Sequence, residues 1–156
     1  MRIDAIQSSP IVERLLTAFR HTECPGKDAF PDSFDSEAHD EVRQLRGRVW
    51  QELEVEDLLN WASALDWLSA DALRYYLPAY LAAAVAFPQV ARSVSDAVIR
   101  QLAPPNRHYT KGKVRFDEMA QGLTAAQVSV IRDCLRQLGV DLNTGVFSYW
   151  EQTDTH

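Results

Sequence analysis

The segment LRYYLPAYL, residues 73–81, decides the fold. It reads as helix on both sides of a proline. Upstream, Ser69 is suited to cap a helix and Asp71 to sit at its positive end. Downstream, the apolar run continues through LAAAVAF to Pro88. If one helix spans about 70–87, Pro78 lies in its third turn. Proline offers no N–H to the Arg74 carbonyl and its ring crowds that oxygen, at a cost of about 3 kcal/mol. A bend is the expected response. Two helices meeting here would instead make Leu77 an N-cap, for which leucine is poorly suited. A helix that is apolar all round is enclosed by neighbours, so this segment is expected to be a kinked central helix.

Three tyrosines crowd the same stretch. Their ordinary role is to pack rings inward and place hydroxyls on a carbonyl or water. The functional alternative is a ligand pocket near Pro78, formed by Arg74, Tyr75, Tyr76 and Tyr80.

Working outward, Ser9-Pro10 opens a helix with Ile11, Val12, Leu15, Leu16 and Phe19 at helical spacing. Residues 21–35 hold Pro25, Gly26 and Pro31 and read as the longest loop. Helices are expected at about 36–46, ending near Gly47, and at 55–65, with a short turn around Trp50. Ser93-x-x-Asp96 is read as opening another helix that ends before Pro104-Pro105. Residues 106–116, NRHYTKGKVRF, read as a basic loop with a turn at Lys111-Gly112. Thr124-x-x-Gln127 is a capping box and Gly139 a C-terminal cap. Phe147, Tyr149 and Trp150 are expected to dock the chain before a polar tail, 151–156. Strand-like alternation is nearly absent. The architecture expected is all-α, one domain of five to seven helices around 70–87.

Composition agrees. The chain has 156 residues, 46% of them hydrophobic and 24% charged, as in soluble globular domains. The N-terminal segment lacks the apolar stretch of a secretory signal, and the apolar run 77–87 is short of the roughly 20 residues that span a bilayer. Cys24 and Cys134 are widely separated and read as reduced thiols, one in a loop and one on a helical stripe. Together these suggest a cytoplasmic protein with no membrane association.

The net charge of −6 is unevenly placed. Residues 23–71 carry 13 acids against 4 basic residues, a balance of −9; residues 72–140 carry 9 basic residues against 4 acids, a balance of +5. Glu37, Asp40, Glu41, Glu52, Glu54, Glu56 and Asp57 fall on two expected helices and their connection. They form a candidate surface for a basic partner, or else a solvated helix face.

Chemistry-bearing motifs are missing. TKGK lacks the first glycine of a phosphate-binding loop, and there is neither GxGxxG nor GxSxG. The four histidines are scattered, so neither metal nor cofactor is expected. Asp35 with His39, four residues apart with Asp40 nearby, and His21 with Cys24 are isolated side chains without the further group such chemistry needs. Arg107, Lys111, Lys113 and Arg115, beside aromatics, are the candidate anion-binding set. The acidic chain as a whole argues against nucleic acid.

The run LSADALRYYLPAYLAAAV, with Trp50 upstream and LTAAQ and LRQLG downstream, resembles a family of small bacterial helical proteins of unknown function. The likeness covers roughly 48–138 and implies a bacterial, cytoplasmic, helical protein with no reaction to transfer. By size and charge alone, such proteins are similar to the immunity proteins of bacterial toxin systems. The leading expectation is a non-enzymatic protein-binding module, in its sharpest form an immunity-type protein whose acidic surface occupies a toxin's basic active face. The alternatives are a small-molecule binder or accessory enzyme at the tyrosine pocket, and a homo-oligomeric structural protein.

Overall fold

The computed structural model describes residues 1–6, 9–26, 36–104, 110–143 and 147–152, with side chains except at 36–39, 110, 111 and 152. Among them the helices are α1 (Pro10–Ala18), α2 (Ser36–Leu45), α3 (Val55–Asn60), α4 (Ala70–Ala86), α5 (Arg92–Leu102), α6 (Thr110–Gln121), α7 (Ala125–Gln137) and α8 (Ser148–Gln152). Short 3-10 turns occupy Ile3–Ala5, Trp50–Glu52 and Ala62–Trp67. No strand occurs among the described residues, and the chain is one all-α domain.

α4 is the axis of the domain. The Ser69 hydroxyl accepts from the Ala72 N–H, and the helix then runs uninterrupted through Pro78 to Ala86. Its residues are buried on every face, Arg74 and the ends excepted. Small side chains such as Ala79, Ala82, Ala83 and Ala84, all fully buried, let neighbours approach closely. α1, α5, α6, α7 and the 3-10 turn at Trp50 pack around it, while α2 and α5 pack against the turn Ala62–Trp67.

Side chains lock helix ends to one another. Thr124 and Gln127 complete the expected capping box. The Gln127 Nε2 also donates to the Ala18 carbonyl at the end of α1, 3.0 Å away. One buried glutamine therefore serves the start of α7 and the end of α1. The Trp150 indole donates to the Leu102 carbonyl, 2.7 Å, fastening α8 to the end of α5. Its ring meets Phe116 and Tyr149 edge-on.

Three expectations need correction. Residues 110–116, read as part of a basic loop, begin α6. A glycine inside a helix costs only about 1 kcal/mol, and Phe116, Met119 and Ala120 bury a stripe that outweighs it. The stretch 55–65, read as one helix, splits at Trp61 into α3 and a 3-10 turn. α5 begins at Arg92 with Ala91 at its N-cap, so Ser93 and Asp96 lie inside the helix and form no cap. Of the loop segment 21–35, residues 22–26 are irregular and 27–35 lie outside the described residues; so do 153–156 of the tail.

Candidate functional site

The acidic residues gather around the start of the chain and the connection into α3. Residues 1–3 lie along 53–55: the Ile3 N–H donates to the Leu53 carbonyl and the Val55 N–H to the Met1 carbonyl, both 2.9 Å. Ile3 is fully buried and anchors this pairing. The Met1 amine is thereby set between the Glu54 and Glu56 carboxylates, 2.8 Å from each. Hydrogen bonds to Glu54 and then Glu56 raise the amine's pKa above its ordinary value. The same bond holds the Glu56 carboxyl below its ordinary value. Arg2 binds Asp4 at 2.7 Å and reaches Glu52 at 3.5 Å. Four carboxylates thus surround two cations, leaving an excess of negative charge.

The remaining members sit nearby in sequence but not in the same cluster of contacts. Asp57 lies 3.9 Å from Arg48, whose guanidinium stands 5.8 Å from the Trp61 ring centre. Asp40, 75% exposed, is 3.9 Å from Arg43. Glu41 accepts a hydrogen bond from the Ser63 hydroxyl, tying α2 to the 3-10 turn Ala62–Trp67. The Glu37 and His39 side chains and all of Asp35 lie outside the described residues. Among the described residues no three His, Cys, Asp or Glu side chains are grouped to hold a metal.

The tyrosines of α4 reach the main chain of the segment that wraps it. The Tyr76 hydroxyl faces the carbonyls of Leu45, at the end of α2, and of Arg48, at 2.9 Å from the latter. Tyr80 donates to the Trp61 carbonyl, 2.8 Å. Tyr75 accepts from the Trp50 N–H, 3.4 Å, and its ring meets that of Tyr76 edge-on. Burial raises all three phenols above the ordinary tyrosine range, most at Tyr76 and Tyr80. Pro78 is enclosed with them, so the core around it is closed.

Arg74 serves a different end. Its Nη1 donates to the Glu118 and Met119 carbonyls at 2.9 and 3.2 Å, and its Nη2 to Asp71 at 2.6 Å. It therefore caps the C-terminal turn of α6, where a cation also meets the negative end of the helix dipole. Beside it opens a cleft of about 610 Å³, lined by Thr22, Glu23, Cys24, Ser69, Asp71 and Arg74 among others. The rings of Tyr75, Tyr76 and Tyr80 pack as structural tyrosines do, and in place of the alternative pocket near Pro78 the cleft lies one turn earlier, at Arg74, and mixes both charges.

Of the anion-binding set, Arg107 and the Lys111 side chain lie outside the described residues, and Lys113 is exposed. Arg115 turns inward. Its Nε donates to the Leu68 carbonyl (2.8 Å), its Nη1 to Gln101 Oε1 (2.7 Å) and its Nη2 to the Leu65 carbonyl (2.5 Å). Gln101 and Arg100 in turn hold Asp66. Desolvation lowers the Arg115 pKa, opposed by Asp66, and the guanidinium keeps its charge at physiological pH. Both cysteines are free, Cys24 exposed and Cys134 buried. Among the described residues no helix is long and apolar enough to cross a membrane.

The chain belongs to the family of unknown function DUF6714, whose model matches residues 21–153. No curated protein and no solved structure matches it.

Proposed function

We propose that the chain is a non-enzymatic protein-binding module of the bacterial cytoplasm. In its sharpest form it is an immunity-type protein whose acidic surface covers the basic active face of a toxin. The supporting observation is the exposed acidic rim of Asp4, Glu52, Glu54 and Glu56 around Met1 and Arg2. These cations neutralise only part of that rim. Exposed Asp40 and half-buried Asp57 add two more carboxylates, each 3.9 Å from its arginine. Long-range complementarity of this kind speeds association with a basic partner and weakens as salt rises.

The test is to capture partners from a lysate of the native host and to titrate any captured protein at low and high salt. The parent is compared with the variant carrying Glu54→Lys, Glu56→Lys and Asp57→Lys. A thermal transition for the variant is the folding control, because Glu54 and Glu56 also hold the Met1 amine. The reading expects weaker binding of the folded variant and a steep salt dependence for the parent. Equal binding with no salt dependence overturns it.

A second reading is a small-molecule binder or accessory enzyme. The cleft beside Arg74 favours it, being larger than the roughly 300 Å³ at which ligand sites begin. Saturable binding of a small molecule that disappears on substitution of Glu23 or Asp71 would move the assignment to this cleft.

A further inference from the structure

We draw no further inference here: the strongest candidate, the open groove between α1 and α7 lined by Pro10, Glu13, Thr17, Ala18, Ala126 and Val130, is an apolar surface crossed by the Arg14–Asp133 ion pair, and nothing in the structure shows what covers it.

Discussion

Arg74 and Gly122 are complementary: a Cβ on Gly122 would fall closer than 3.0 Å to the Arg74 guanidinium. The glycine's role is steric, because the arginine lies over it to reach the Glu118 and Met119 carbonyls. Gly122→Ala should push a flexible side chain aside and cost the cap of α6, about 1 kcal/mol. In an Arg74→Ala background the guanidinium that the new Cβ would strike is gone. Gly122→Ala should then be neutral or slightly stabilising, since alanine has less chain entropy to lose. A double-mutant cycle by urea denaturation reads the coupling directly. Additive effects would show that the two residues are independent.

The α4 tyrosines yield a ranked set of stabilities. Tyr80→Phe removes the donor to the Trp61 carbonyl and should cost about 1–2 kcal/mol. Tyr76→Phe withdraws a buried donor from two carbonyls, one at the end of α2, and should cost at least as much. Tyr75→Phe should cost least, because its hydroxyl accepts one long bond. If these phenols were catalytic or ligand groups without a structural role, the three variants would melt with the parent.

Local signals carried much of the fold. Ser9-Pro10, Ser69, Thr124-x-x-Gln127, Gly47 and Gly139 act where their chemistry suggests; both glycines have positive φ, 77° and 86°. α4 was legible because nothing but a buried helix accommodates so much alanine and leucine. α6 is hard to see locally because Lys111-Gly112 signals a turn, while the Phe116, Met119, Ala120 spacing that favours a helix begins only in its second turn. Long-range partners left no local mark. Arg115 is one of several basic residues in its segment, and only the fold brings it to Leu65 and Leu68. The same holds for Arg74, whose two carbonyl acceptors lie more than 40 residues away, and for Ile3, buried by pairing with residue 53.

Cys134 gives stability an alkaline limit. Burial on α7 pushes its thiol from an ordinary 9.0 up to about 12. The folded state therefore favours the protonated thiol more than the unfolded state does. Its contribution is fully present below about pH 9 and is lost as pH rises toward 12, at up to about 1.4 kcal/mol per unit. Tyr76 and Tyr80, raised in the same direction, add to the loss above pH 10. The Met1 amine adds a slope from about pH 8 that is shared by parent and variant. Cys134→Ala lowers stability at neutral pH through the cavity it leaves, but its curve should stay parallel to the parent's up to pH 9 and fall less steeply between 9 and 10. Denaturant unfolding across pH 7–10 measures this, and identical slopes throughout would show that the thiol is not shielded.

Arg115 separates an anion site from a structural clamp. Its guanidinium spans two carbonyls of the Ala62–Trp67 turn region and Gln101 of α5, three acceptors that a planar fork meets and an ammonium cannot. Arg115→Lys keeps the charge but should leave buried acceptors unsatisfied, lowering stability by about 2–4 kcal/mol. Lys113→Ala, at an exposed position on the same helix, should stay within about 0.5 kcal/mol of the parent. Thermal melting of the two variants is compared with titration of inorganic polyphosphate into each. The clamp predicts a large loss of stability for Arg115→Lys alone and no Arg115-specific change in anion affinity. An Arg115→Lys protein that melts with the parent, yet loses polyphosphate binding, would return this residue to the anion-binding set.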